Sequence, residues 1–386
     1  MKARYYFDWA ATAVPDHPLV NNPVREAALP FGNPSSRHTE GRIARDILED
    51  ARTRSAAVLG LPAKHLYFSS GGTEANALVL YSLLFKKNGG REAFLYSRAE
   101  HPSIRENAKI LERLGKNVIP IGVERDGRVS PVSLERALEK TDNPRLAAIM
   151  GVNNETGAIT DILSLTALLR KRPGRAVHFH CDMVQGIGKI PLDLGGWDVD
   201  SASLSAHKLG GPRGIGLLYL RKPIQVLYSG GGQEGGIRPG TENVAGAAAL
   251  ADCLERRARP EKLRADYAAA ASRFKGLIEG LKSLSRCSLI PEDRKAEDPG
   301  FSPYILQAAF DGIPGEVMVR ALDDAGFAVS TGSACSGDKK ERPVLDAMGV
   351  DERKGLFGIR ISQGWSTTEQ DTEALLEAIK DILKIY

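Results

Sequence analysis

The sequence predicts an α/β protein: a large domain with a mostly parallel, seven-stranded sheet flanked by helices, and a smaller α+β C-terminal domain. Three observations predict it. Between about residues 60 and 220, short runs rich in β-branched and aromatic residues alternate with segments of helical periodicity. Strand, helix, strand in that order favours a parallel sheet covered on both faces. From about residue 246 a charged helical segment breaks the alternation, and at 386 residues the chain exceeds what one core ordinarily holds.

In chain order, the strand-like runs are LYFSS (66–70), AFLYS (93–97), NVIPI (117–121), LAAIM (146–150), AVHFHC (176–181), SASLS (201–205) and GIGLLYL (214–220). Between them, ANALVLYSLLFKK (75–87) and ILSLTALLRKR (162–172) carry leucines three and four apart, the spacing of one helix face. The C-terminal part is expected to hold a helical segment over about 246–282, strands at YILQAAF (304–310) and FGIRIS (357–362), and helices over 314–326 and about 367–384. RRARPEK, near 256–262, breaks the apolar pattern. The expected division is therefore a large domain of residues 15–257 and a small one of residues 1–14 and 258–386.

Composition excludes more than it selects. Lys+Arg 52 against Asp+Glu 48 gives +4, evenly mixed along the chain, which argues against nucleic-acid and membrane partners. The opening stretch lacks the apolar core of a secretory signal, and no run is long enough to cross a bilayer. The cytoplasm is the expected compartment. Cys181, Cys253, Cys287 and Cys335 are far apart and show no metal-ligand spacing, so free thiols and no metal site are expected.

In open α/β sheets ligands gather beyond the carboxyl ends of the strands. After LYFSS comes GGTEAN (71–76), where Gly72 and Thr73 open a helix. They form either a phosphate cradle or an ordinary turn with Thr73 as N-cap; the G-K-[ST] ending of a nucleotide loop is missing. His101 follows AFLYS as a ligand or a capping histidine. Asn153 and Asn154 follow LAAIM as turn residues or donors. Asp182, closing an apolar strand, needs a cation or several hydrogen bonds, and Gln185 lies three residues on. Ser205, His207 and Lys208 sit in SLSAHKLGGP (203–212), whose small residues leave room for something bulky beside the lysine. Amine, acid, imidazole, amide and phosphate cradle, each at a different strand end, make the set that pyridoxal 5'-phosphate (PLP) uses.

FDWAATA (7–13), GNPSSRH (32–38), SSGGTEAN (69–76), EHPS (100–103), VNNETG (152–157), D-x-x-Q (182–185), SLSAHKLGGPRGIG (203–216), GGGQEGGIRPGTEN (230–243), STGSACSG (330–337) and GIRIS (358–362) stand in the order found in cysteine desulfurases. From residue 5 to about 368 the chain resembles the NifS/IscS-like branch of class V aminotransferase-type enzymes. The resemblance implies fold type I of the PLP-dependent transferases. It implies that Lys208 holds the cofactor and moves the Cα proton, that Asp182 pairs with the ring nitrogen, and that His101 stacks on the ring and manages a proton. Asn154 and Gln185 would touch the 3'-oxygen side, while Gly72, Thr73, Ser205 and His207 would bind the phosphate, with Thr241 reaching it across a homodimer interface. Arg360 would fork the substrate carboxylate, assisted by Asn33.

Cys335 chooses the reaction. Its flanks are small, unlike those of a structural cysteine, and a thiol of pKa about 8.5 needs only modest lowering to react; the alternative is an inert loop cysteine. By resemblance it attacks the sulfur of L-cysteine, becomes a persulfide and leaves alanine. The sulfur would pass to an acceptor protein, an iron–sulfur scaffold with which Cys335 could share a cluster, or a tRNA-thiolation protein. Trp9, Ala13 and Trp365 depart from the common pattern, the Cys335 loop is about one residue shorter, and the ending at Tyr386 leaves the scaffold as acceptor open. The rival readings are a selenocysteine lyase or another class V PLP enzyme, a scaffold protein without chemistry, and a nucleotide-binding ATPase.

Overall fold

The computed structural model describes residues 4–15, 31–85, 92–172, 176–191, 193–332 and 341–386. Strand β1 (Tyr5–Tyr6) and helix α1 (Thr39–Leu59) precede an alternation of β2 (Leu66–Ser69), α2 (Gly72–Tyr81), β3 (Ala93–Ser97), α3 (Pro102–Arg113), β4 (Asn117–Ile121), α4 (Pro131–Leu138), β5 (Pro144–Met150), α5 (Ile162–Lys171), β6 (His178–Asp182), β7 (Ser201–Ser205) and β8 (Gly216–Leu220). There follow α6 (Val244–Arg257), α7 (Pro260–Lys282), β9 (Cys287–Ile290), β10 (Ile305–Phe310), α8 (Gly315–Asp324), β11 (Phe327–Ala328), α9 (Pro343–Ala347), α10 (Glu352–Leu356), β12 (Gly358–Ser362) and α11 (Glu369–Ile385).

The seven runs read from the sequence are the seven strands of one sheet, ordered β2-β8-β7-β6-β5-β3-β4. All pairings are parallel except those of β8, which runs antiparallel to β2 and β7. Every residue of β5 is buried, as a central strand covered on both faces requires, hence the apolar run LAAIM over 146–150. A second, antiparallel sheet has the order β12-β10-β9. It shares a core with α7, α8 and α11 that buries Phe7, Phe274, Phe310, Leu375 and Ile379.

Two expected elements differ. The helical segment over 246–282 is two helices, because Pro260 has no N–H to continue α6 and instead opens the first turn of α7. The helix expected over 75–87 starts earlier, at Gly72, and ends at Tyr81 in a short 3₁₀ turn; residues 86 and 87 lie outside the described residues. Helices α1, α3, α4, α9 and α10 and strands β1, β9 and β11 have no counterpart among the expected elements.

The N-terminal stretch positions the site. β1 pairs in parallel with β11, Phe7 N–H donates to Ala328 O at 2.8 Å, and Asp8 bridges to Ser362. The chain then crosses to the large sheet, where Ala13 N–H donates to His207 O at 2.9 Å. Among the described residues no helix is long and apolar enough to cross a membrane.

Candidate active site

Beyond the carboxyl ends of β2, β5, β6 and β7 lies a cavity of about 210 Å³. Its lining includes Gly72, Thr73, His101, Asn154, Asp182, Gln185, Ser205, His207 and Lys208, so nine of the residues singled out from the sequence converge on one space. Lys208 Nζ donates to Ala10 O at 2.5 Å and Ala11 O at 2.7 Å. These carbonyls, delivered by the N-terminal crossing, hold a lysine head against the cavity.

The phosphate-cradle reading of GGTEAN gains support over the capped-turn reading. The N-cap of α2 is Gly71, with no side-chain cap, and Thr73 lies one residue inside the helix. The first-turn N–H groups are thus left without a side-chain cap, as an anion site requires. A Cβ on Gly72 would lie 2.5 Å from Val184 Cγ2, so glycine permits the close approach of α2 to the end of β6. His207 Nδ1 lies 3.2 Å from Thr12 Oγ1. Burial, and after it the charge of Lys208, holds His207 down at about 4, a neutral ring that a bound phosphate would pull back up.

Asp182 is buried and finds hydrogen bonds on both oxygens. Val184 N–H donates to Oδ1 at 3.0 Å and Asn76 Nδ2 to Oδ2 at 2.8 Å. Behind Asn76 the polarity continues: its Oδ1 lies 2.8 Å from His180 Nε2, and His180 Nδ1 lies 2.8 Å from Ser201 Oγ. His180 is fully buried and burial pushes it down to about 3, so it serves as a neutral link with its proton on the nitrogen facing Asn76. Glu100, also buried, accepts from Met150 N–H. Burial first and the nearby Asp182 second push the Glu100 carboxyl well up, which keeps a second negative charge away from Asp182.

The two asparagines divide the roles left open by the sequence. Asn153 is the turn residue: its Oδ1 accepts from Glu155 and Thr156 N–H, both at 2.9 Å. Asn154 lines the cavity, and its buried Oδ1 has no partner among the described residues. Gln185 Nε2 donates to Ala10 O at 2.8 Å, and its Oε1 accepts from the buried Lys189 Nζ at 2.9 Å.

A second cavity, of about 400 Å³, shares His101, Asn154, Gln185 and Lys208 with the first and adds Arg360. The Arg360 guanidinium donates to Asn154 O at 2.9 Å and to the Asp8 carboxylate at 2.7 Å. Gly332 and Glu341 line this cavity too; Cys335, between them in sequence, lies outside the described residues. The structure does not bring Asn33 to Arg360, because its exposed side chain is engaged locally, accepting from Ser35 N–H at 2.9 Å. Thr241 is exposed and lines neither cavity.

Asp8, Asn76, Ser103, His180 and Lys189 were missed as site residues. Asn76 closes the quoted SSGGTEAN motif, one helical turn past Thr73. His180 stands two residues before Asp182 on the same strand, a spacing that puts both on one face. Lys189, a lone cation in the apolar stretch GIGKI, carried its own signal.

A family model described as Aminotransferase class-V matches residues 5–375. The chain belongs to the class-V aminotransferase family. A NifS/IcsS protein homolog of Lactobacillus delbrueckii subsp. bulgaricus is 35% identical over 99% of this chain and 97% of its own. A protein named cysteine desulfurase IscS, from Dictyoglomus turgidum, is 34% identical over 100% of this chain and 95% of its own. Among solved structures, a NifS-like protein superposes with a TM-score of 0.89 at 33% identity, covering 99% of this chain and 100% of that one. The cofactor of this family is PLP, and the residues present fit it. An amine, a buried carboxylate, a helix N-terminus without a side-chain cap and an unpaired amide oxygen line one cavity.

Proposed function

We propose that this class-V aminotransferase family member is a PLP-dependent cysteine desulfurase, removing sulfur from L-cysteine and releasing L-alanine. The observation that carries the reading is the joining of two cavities through Lys208 and His101, one lined by Asp182 and the α2 N-terminus, the other by Arg360. Bound PLP supplies an electron sink for the charge left at the substrate Cα. Lys208 would hold the cofactor through its amine and would serve as the base for the Cα proton. Asp182 would keep the ring nitrogen protonated. Gln185 and Asn154 would hold the 3'-oxygen side, and Gly72, Thr73, Ser205 and His207 would hold the phosphate. The Arg360 guanidinium binds the substrate carboxylate as a two-pronged fork.

The reaction then balances around Cys335. Its thiolate attacks the substrate sulfur, the substrate C–S bond breaks, the S–S bond of a persulfide forms, and Cα and Cβ are reprotonated as alanine leaves. An acceptor protein takes the persulfide sulfur, with an iron–sulfur scaffold and a tRNA-thiolation protein as the two candidates. The same reading makes the enzyme a cytoplasmic homodimer with Thr241 reaching across, and divides it into residues 15–257 and residues 1–14 with 258–386.

The test is a peptide-level mass spectrum after brief exposure to L-cysteine, with one aliquot reduced by borohydride to fix the cofactor and a second blocked with a thiol reagent, without reductant, to keep the persulfide. A reduced pyridoxyl group on Lys208 together with one extra sulfur on Cys335 is the expected result. Modified Lys208 beside unchanged Cys335 would move the reaction to a lyase or transaminase, and modification of neither in PLP-supplied protein would sink the assignment.

A further inference from the structure

His101 is the N-cap of α3. Its Nδ1 lies 3.1 Å from the peptide nitrogen of Ser103 and 2.9 Å from Ser103 Oγ. A peptide N–H only donates, so Nδ1 must accept and carries no proton. The hydroxyl is oriented the same way by what stands behind it. Asn76 Nδ2 lies 2.8 Å from both Ser103 Oγ and Asp182 Oδ2. A carboxylate only accepts, so the Asn76 amide presents its nitrogen to Asp182 and spends its second hydrogen on Ser103 Oγ. Ser103 then has its own proton to give to His101.

We propose that Asn76 and Ser103 are positioning residues that lock His101 as a neutral imidazole with its single proton on Nε2, a fixed hydrogen-bond donor rather than a carrier of protons. In that tautomer the ring's only basic lone pair is on Nδ1, and two donors from Ser103 already occupy it. Protonation there breaks the bond from the Ser103 peptide and forces the Ser103 hydroxyl to reverse its role. The relay ends at Asn76, whose amide has no acidic proton to pass on. The surroundings agree: burial depresses the imidazole first, the Asp182 carboxylate of β6 opposes this, and the cations Lys208, Arg105 and Arg360 lower it further. The positive N-terminal end of α3 acts in the same direction. Protons on the substrate or thiol are therefore moved by another group, while Nε2–H holds the atom that accepts it. The proposal depends on the desulfurase reading only for what Nε2 meets; the tautomer belongs to the chain itself.

The experiment is ¹⁵N spectroscopy of the PLP-loaded enzyme labelled at histidine, with the His101 signals assigned by their loss in His101→Asn. The cofactor absorption band is recorded on the same sample, so failure of the PLP reading shows there and leaves the nitrogen spectrum to report the tautomer. The expected spectrum has an unprotonated Nδ1 and a protonated Nε2, unchanged from about pH 8 to about pH 5.5, the span over which an ordinary imidazole charges. A protonated Nδ1, or conversion to imidazolium within that span, overturns the proposal. Ser103→Ala keeps the peptide donor and removes the hydroxyl. Its Nδ1 signal should move toward that of a free lone pair, and protonation should begin at higher pH; a spectrum identical to wild type would remove Ser103 and Asn76 from the assignment.

Discussion

The wall around Asp182 and the wall around Arg360 answer the same need, a buried charge beside Lys208, by different means. Asp182 is fed from one sheet and the helix laid against it: Asn76 from α2, Val184 just past β6, and His180 and Ser201 behind. Arg360 is held by segments far apart in sequence, Asp8 from the N-terminal crossing and the carbonyl of Asn154. In the first wall both Asp182 oxygens are paired, and the one carboxylate oxygen left over, Glu100 Oε2, belongs to a carboxyl pushed toward its neutral form. In the second, Arg360 Nε and Glu155 Oε2 are buried with no partner among the described residues, and burial pushes the Glu155 carboxyl up toward its neutral form. A satisfied network fixes a charge in place for a permanent ligand, whereas spare donors around a paired cation suit a ligand that comes and goes.

The most severe way to break that comparison is Asp182→Asn. The variant keeps the shape but puts an amide opposite the Asn76 amide and removes the charge. Alanine formation should fall on the order of a thousandfold, ~4 kcal/mol in barrier, while the absorption of Lys208-bound cofactor remains. Turnover within about tenfold of wild type, on the same scale, would mean that Asp182 is not the group holding the ring proton.

Arg360→Lys probes the other wall. Lysine keeps the charge and loses the planar fork, and hydrogen bonds between charged groups are worth ~1.5–3 kcal/mol. Steady-state kinetics should show KM for L-cysteine rising about 10- to 100-fold, consistent with that energy, with kcat changed far less. Asp8→Asn, nearly isosteric, removes a carboxylate that repels the incoming one, and KM should fall severalfold. A rise instead would show that Asp8 serves mainly to aim Arg360.

The contrast also explains what the sequence could reveal. The strands of the large sheet were readable because short runs rich in β-branched, aromatic and small residues alternate with helical segments, and the residues after them are placed by topology alone. Lys208, Asp182 and Thr73 were therefore found as strand-end residues before any resemblance was needed. Contacts between distant segments leave no such trace. Nothing local to FDWAATA or GIRIS says that Asp8 meets Arg360 across 352 residues of sequence. Helices α1 and α3 were missed because their apolar faces are thin and polar residues dominate their sequences. Their caps, His38 and His101, are not among the usual capping residues.

Lys189 offers the finest test, because it ties the first wall to solution pH. It is 3% exposed and donates to Gln185. Burial first, then the charges of Lys208 and Arg360, hold its amine down at about 7, whereas a lysine in the unfolded chain titrates at about 10.4. Between those pH values the unfolded chain binds a proton that the folded protein does not, so folding stability rises with pH, by at most ~1.4 kcal/mol per unit. Below about pH 7 both states are protonated and the dependence vanishes. Lys189→Met removes the titrating group while leaving the other ionisable side chains in place. Denaturant unfolding of both proteins at about pH 7.5 and about pH 8.5 should show wild type gaining about 1 kcal/mol on the variant across that unit. Parallel pH dependences would mean that Lys189 stays charged in the fold, and that the amide of Gln185 is oriented by a full cation rather than by a neutral amine.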